Sequence, residues 1–336
     1  MLPQIEEVIT SWKALSQESE SLAGWRGINV SPIGSCEMVA ARRFPGNEEA
    51  LLVRLSSLNI GFSERLPEGK GFEVLKADPF GDSKCWIAVT RKEFGSTDLF
   101  TEMITDVIGI IHGVAEEKDE VIFGAILKRI RMWQQFMSNS NGPLSSEAQL
   151  GLVGELHFLK ILLQFEIPPA VVLKSWVGPE DSPQDFLLGD GAIEIKATMS
   201  SSGFPVKIGN LEQLDDAIFS PLFLGAARFV SSKDGLTLPD IISEIKFFLK
   251  DDAGSVCLFF DRLLCAGYIE SHASYYERKF ELNDFRFFSI CEGFPRMTSG
   301  SVPLGILRAM YEINLDHAKN FLVELDVVLK KLGVVG

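Results

Sequence analysis

Residues 151–198 constrain the fold of this 336-residue chain more than any other stretch. They comprise a helix-patterned run, GLVGELHFLKILLQF, a loop containing Trp176, Val177, Gly178 and Pro179, and a strand-patterned run, QDFLLGDGAIEIKAT. Both runs place acidic residues where an apolar core is expected. Asp190-Gly191 is a preferred pair for a tight β-turn, because positions there need positive φ. With Asp190 and Gly191 central, Asp185 lies opposite Lys196 and Leu187 opposite Glu194. With Gly189 and Asp190 central, Asp185 lies opposite Glu194 instead. Side chains alternate along a strand, and opposed residues share a face. In either register Asp185, Glu194 and Lys196 emerge on one side, and Phe186, Ile193, Ile195 and Ala197 on the other. Only an odd loop length or a bulge would flip this.

Two carboxylates and an ammonium on one sheet face suit Mg²⁺, a hard cation usually held by one or two carboxylates plus waters and a substrate phosphate. The backbone carbonyl of Ile195 could add an oxygen. Such a metal would polarise a scissile phosphate and activate the attacking water. Lys196 would orient or deprotonate that water, or offset charge developing on the phosphate. Glu155 belongs with this set. Ala148, Leu152, Glu155, Leu159 and Leu162 recur at helical spacing, so Glu155 sits within a stripe that faces the core. A buried, unpaired carboxylate is costly, and a metal, a lysine or a water would explain it. Gly151 and Gly154 would let this helix approach the sheet closely, at about 1 kcal/mol each against Ala.

The acidic–acidic–lysine spacing by itself is common. Asp106, Glu116 and Lys118 nearly repeat it, as do Asp234, Glu244 and Lys246. Those sets fall on helical or helix-end stretches, where Glu and Lys two apart point in different directions. Only the third set lies in a β-patterned segment after a helix with an embedded Glu.

A helix with Glu, then Asp, then Glu-x-Lys on adjacent strands resembles the PD-(D/E)XK nuclease superfamily. The wider pattern, GLVGELHFL followed by WVGPEDSPQDF and AIEIKAT, resembles a bacterial family of PD-(D/E)XK proteins encoded in restriction and phage-defence loci. The resemblance is specific over residues 130–215 and looser over 285–314. It implies a restriction-endonuclease-like core, a mixed sheet flanked by helices, in residues 144–336. It also implies a Mg²⁺-dependent endonuclease (Mn²⁺ substituting) that cuts duplex DNA in restriction or defence. Carried over, Asp185, Glu194 and Lys196 match the catalytic motif and Glu155 the helix acid, with Asp185, Glu194, the Ile195 carbonyl and Glu155 as metal ligands. Gln213 matches a position where some members place a glutamine near the phosphate; surface polarity is the alternative. Gln184, not proline, precedes Asp185, and Pro183 lies one residue earlier. A fold kept as a dormant binding or assembly subunit of a defence complex is the alternative function, and an RNA substrate is a third.

Elsewhere the chain reads as a small β-rich module with connecting helices in residues 1–137. Helical periodicity marks 3–17, 96–116 and 119–137, and short β-like runs mark 37–44, 50–56, 72–77 and 85–91. Residues 138–143 (SNSNGP) read as a linker. Arg42, Arg43, Arg54, Arg91 and Lys92 read as a solvated face, with a phosphate-facing patch as the alternative, and Lys128, Arg129 and Arg131 as a basic helix face. Residues 144–165 read as a long helix capped by Ser145 or Ser146. Beyond the hairpin we expect strands at 203–210 and 226–231, a short helix at 211–218, helices at 239–249 and 256–264, a strand pair at 278–282 and 285–292, and a strand at 309–314. A closing helix is expected over 316–332.

The formal charge is −14, which disfavours a broad, non-specific DNA coat without excluding one cationic cleft, and a partner protein or homodimer would help such a chain reach DNA. Cys36, Cys85, Cys257, Cys265 and Cys291 are scattered, which suits reduced thiols in a cytoplasm rather than disulfides or a structural zinc. The acidic N-terminus lacks a signal-peptide pattern, and nothing is apolar enough over 18 residues to span a membrane. Trp176 reads as a loop or core anchor, His157 as structural, and His112, His272 and His317 as isolated. Ser200, Ser201, Ser202 and Gly203 form either a loop near substrate or a linker.

Overall fold

In the computed structural model the described residues are 2–16, 23–55, 65–81, 86–139, 142–180 and 182–335. The expected positions Gln17, Ser56, Cys85, Ser140, Asn141 and Asp181 lie outside them. The chain folds as two compact units, Met1–Asn141 and Gly142–Gly336.

The first unit begins with α1 (Pro3–Ser16), which buries Ile5, Val8, Trp12 and Leu15. Five strands follow: β1 (Gly24–Ile33), β2 (Cys36–Phe44), β3 (Glu48–Leu55), β4 (Phe72–Ala77) and β5 (Trp86–Arg91). They form one antiparallel sheet in the order β1-β2-β3-β5-β4. The edge strand β1 was not expected from the sequence, because GWRGINVSPI is largely exposed and shows no apolar alternation. Trp12 Nε1 donates to the Ala50 carbonyl (2.9 Å), seating α1 on the sheet. Helices α2 (Thr97–Gly113) and α3 (Asp119–Asn139) complete the unit.

The five cations expected on a solvated face are paired within this unit. Arg42 pairs with Glu49 (2.8 Å), Arg43 with Glu73 (2.5 Å), Arg91 with Glu49 (2.6 Å) and Lys92 with Glu68 (2.6 Å), while Arg54 pairs with Glu37. Cross-strand register sets Arg42 opposite Glu49 and Glu37 opposite Arg54, so each pair follows from strand pairing. Arg129 departs from the expected basic helix face: it is buried and bridges to Asp106 (2.6 Å), which also accepts from Trp133 Nε1 (2.7 Å).

The second unit opens with α4 (Ser146–Leu162), capped by Ser145, whose hydroxyl accepts from the Ala148 N–H (3.2 Å). The short helix α5 (Pro169–Ser175) was not expected; it starts on the Pro pair that stops the preceding helix, since proline suits a first helical turn. Then come β6 (Phe186–Leu188), β7 (Gly191–Thr198), β8 (Pro205–Ile208) and β9 (Leu222–Val230). Helices α6 (Leu238–Leu249) and α7 (Ala253–Cys265) precede β10 (Glu281–Ile290), β11 (Tyr311–Asn314), β12 (Leu322–Val323) and α8 (Leu325–Lys331). A five-stranded mixed sheet has the order β12-β10-β9-β7-β6, with β7 and β9 parallel and its other pairs antiparallel. Strands β8 and β11 form a separate antiparallel pair.

Apolar residues cover both faces of the mixed sheet. One core gathers Leu152, Phe158, Phe186, Ile193, Ile195, Phe223 and Phe287. The other gathers Ala192, Phe204, Val206, Leu224, Ala226 and Phe288. Gly154 permits the closest approach of α4 to β7: an added Cβ would lie 3.0 Å from Ala197 Cβ and 3.5 Å from Ile195 Cγ2. Gly151 has nothing within 4 Å and plays no such part.

Three expectations need correction. Residues 211–218 form turns, not a helix: Asn210 Oδ1 accepts from the N–H groups of Glu212 (3.0 Å) and Gln213 (2.9 Å), and Asp215 Oδ1 from that of Ala217 (3.1 Å). Short polar side chains there bind the backbone in place of helical carbonyls. The strand pair at 278–292 is one strand, β10, with an irregularity between Leu282 and Asp284. The closing helix is broken into 3₁₀ turns at Leu315–His317 and Lys319–Phe321, β12 and α8. Pairing of Leu322 and Val323 with Phe288 and Phe287 outweighs helical propensity in that stretch. Among the described residues no helix is long and apolar enough to cross a membrane.

Candidate active site

The hairpin adopts the register with Gly189 and Asp190 central: Phe186 faces Ile193, Leu187 faces Ala192 and Leu188 faces Gly191. Gly189 takes φ 60°, which suits a turn whose first central residue is glycine. The strand β6 is only three residues long, so the edge of β7 beyond Ile193 lacks a strand partner from it. Asp185 fills that gap. Its Oδ2 accepts the Ile195 N–H (2.7 Å), and its carbonyl accepts from Val177 (2.8 Å) and Gly178 (2.9 Å). In a strand the N–H and C=O of one residue point to the same edge, so the Ile195 carbonyl is directed to the Asp185 side.

Glu155 approaches from α4 and is half-buried. Its Oε2 accepts from Trp176 Nε1 (2.7 Å), and Trp176 is fully buried. Gly178 supplies the space between the two acids: a Cβ added there would lie 2.7 Å from Asp185 Oδ1 and 3.3 Å from Glu155 Oε2. Glycine is needed here for close approach, not for φ. Glu194 is wholly buried and ion-paired with Lys196 (2.6 Å), and the Asp185 backbone also hydrogen-bonds its carboxylate.

The four groups perturb one another. Burial pushes the Glu194 carboxyl up to about 8, Asp185 adds to the rise, and Lys196 opposes it. Burial, then the charge of Asp185, raises Glu155 well above the ordinary carboxylate range, against the Trp176 hydrogen bond. Burial also raises Asp185, with Lys196 and the Ile195 N–H pulling it down. For Lys196, burial works against the charge, but Glu194 and Asp185 together outweigh it and hold the ammonium protonated. A single buried ion pair would depress its acid; here one ammonium serves three carboxyl groups, and both partners gain affinity for a proton.

Among the described residues no three His, Cys, Asp or Glu side chains stand as a ready-made metal-holding group. Each acid has one oxygen turned to an internal partner: Glu155 to Trp176, Asp185 to Ile195, Glu194 to Lys196.

Gln213 takes no part in this cluster. Its side-chain oxygen accepts from the Gly209 N–H (2.7 Å), closing the turn after β8. Its loop is nonetheless tied to the site, because buried Gln184 donates through Nε2 to the Glu212 carbonyl (2.8 Å). The residue standing where a literal motif has proline is thus a brace beside Asp185. His157 binds the Val153 carbonyl (3.0 Å) and packs edge-on to Phe229 (4.9 Å), which makes it structural. Trp176 and Gly178 are the site residues that sequence reasoning left in a loop; the conjunction of both with an embedded Glu was the available signal.

Residues 8–316 match a family model described as "Putative PD-(D/E)XK family member, (DUF4420)". The chain belongs to this family. The mixed sheet flanked by helices, preceded by an antiparallel sheet, agrees with a PD-(D/E)XK assignment. No curated protein and no solved structure matches the chain.

Proposed function

We propose that the second unit is a Mg²⁺-dependent endonuclease that hydrolyses phosphodiester bonds of duplex DNA, acting in bacterial restriction or phage defence. The observation behind this reading is the cluster of wholly buried Glu194 and half-buried Glu155 and Asp185 around one ammonium, each carboxyl pushed above its ordinary range. Carboxyl groups that resist ionisation for want of positive charge are what a divalent cation would stabilise. The donor chemistry suits such an ion: hard oxygens from Asp185 and Glu194, the Ile195 carbonyl on the same edge and Glu155 across the Gly178 gap, with the three carboxylates turning to the ion from their present internal partners. When bound, a divalent ion would supply Lewis-acid polarisation of the phosphate and a more acidic water.

The chain's own residues would do the rest. Glu194 would give up its proton to serve as a ligand beside Asp185. Trp176 fixes Glu155 so that its carboxylate stays on the Asp185 side. Lys196, held protonated, would donate a hydrogen bond to the attacking water or to a phosphate oxygen and offset the negative charge that develops there. General-base work by Lys196 would require loss of that proton first, so orientation and charge stabilisation are its leading roles.

The test is cleavage of duplex DNA by purified protein with Mg²⁺ or Mn²⁺, compared with Asp185→Ala, Glu194→Ala and Lys196→Ala. Each substitution should abolish cutting, as expected for groups that act as a unit. Cleavage persisting in all three would refute the assignment. A folded wild type that binds DNA but neither takes up Mn²⁺ nor cuts would instead support a dormant binding subunit.

A further inference from the structure

Strand register carries the Lys196 face of β7 across the sheet. Lys196 is level with Ala226 of β9, and Ala226 with Arg286 of β10; one step on, Thr198 is level with Arg228, and Arg228 with Asp284. Level residues share a face, so Lys196, Arg228 and Arg286 project from one side of the sheet. Both arginines lie over the Phe204 ring, at 4.4 Å for Arg228 and 4.9 Å for Arg286.

The two arginines differ in charge balance. Arg286 is bound to Asp284 (2.6 Å) and Asp316 (3.2 Å). Asp284 stands level with Arg228 but turns to Arg286 instead, and among the described residues Arg228 has no carboxylate partner. Arg228 gives one N–H to the Gly203 carbonyl, and its Nε is buried without an acceptor. Its Nε faces the interior, so the half-buried guanidinium, with a neutral partner only, keeps its Nη edge for an anion from solvent. Its position is diagonal to Lys196, a separation of roughly 7–8 Å between backbones, which long side chains can span along one phosphate chain.

We infer that Arg228 is a phosphate-binding residue of the substrate groove, contacting a backbone phosphodiester beside the one that Lys196 faces. This rests on the proposed nuclease reading and adds the second anchor of the DNA strand. The planar guanidinium, seated on Phe204 and tethered at Gly203, is pre-oriented for a phosphate oxygen pair. The contact is to the backbone, so it is independent of base sequence.

The experiment measures binding of a fluorescein-labelled DNA duplex by anisotropy, with Ca²⁺ replacing Mg²⁺, over a salt series, alongside urea unfolding of the free protein. Arg228→Met should weaken binding about tenfold for any duplex sequence and reduce the slope of log K against log [salt] by about one. Stability of the free protein should hold or rise, because an uncompensated charge is removed. Arg228→Lys, which keeps charge without the fork, should retain the salt slope with part of the affinity. A wild type that binds while Arg228→Met binds equally well would overturn the role of Arg228 and leave the nuclease reading intact. Loss of stability in both variants would overturn it too, by making Arg228 a structural partner of Phe204 and Gly203. A wild type that binds no duplex would overturn the reading beneath it, and this inference with it.

Discussion

Replacing Glu194 by Gln tests the electrostatic frustration of the site in the absence of metal. The amide keeps the shape of the side chain and removes its ionisation. Glu194 titrates at about 8 in the fold against an ordinary 4.5. A folded-state value raised in this way gives stability that is fully present below the ordinary value and is lost as pH rises through about 8. Between these limits the unfolded chain is ionised while the folded one holds its proton, so stability falls by about 1.4 kcal/mol for each unit of pH. From about pH 6 to about pH 9 the wild type should lose about 3 kcal/mol relative to Glu194→Gln. Lys196 stays protonated throughout, since its own value is raised above 10.5. His157, whose value is lowered by burial, has the opposite sign: its contribution falls away as pH drops below its ordinary 6.5. That effect is common to both proteins and cancels in the difference. The assay is urea unfolding with EDTA at several pH values, followed by far-ultraviolet circular dichroism. A stability difference independent of pH, or a wild type that gains on the variant as pH rises, would refute the reasoning, because it would mean an ordinary ion-paired carboxylate.

Two further substitutions probe the frame around the cluster. Gly178→Ala would push a methyl within 2.7 Å of Asp185 Oδ1; it should leave the fold intact by circular dichroism yet lower Mn²⁺ affinity by calorimetry, by about 10–100-fold as for other residues that orient ligands. Trp176→Phe would remove the donor to Glu155 Oε2 and should cost about 1–3 kcal/mol of stability in urea unfolding.

Much of this site could be read from the chain because it depends on local rules. The side-chain period of two puts Asp185, Glu194 and Lys196 on one face in either hairpin register, so the undecided turn did not matter; Gly189, the residue best able to take φ 60° at the first central position, settles it. The spacing of Glu155 in its helix showed that it must face inward. What could not be read depends on distant partners. The apolar stripe cannot reveal that Trp176, after an intervening short helix, supplies the hydrogen bond to Glu155, nor that Gly178 keeps two acids from being wedged apart. Five cations of the first unit read as a solvated face in sequence; strand pairing sets Arg42 against Glu49 and Arg54 against Glu37, and the fold brings Glu73 to Arg43 and Glu68 to Lys92. The broken C-terminal helix is the same lesson in reverse: helical periodicity in residues 316–332 yields to two strand pairings with Phe287 and Phe288.

The most direct measurement is the anomalous difference map of a crystal soaked in Mn²⁺. A single peak should lie among Asp185, Glu194 and the Ile195 carbonyl, with Glu155 on its far side and Lys196 turned from Glu194 towards solvent. A well-ordered crystal with no peak there, or with its manganese bound elsewhere and the Glu194–Lys196 pair intact, would contradict the assignment of these residues to a metal centre.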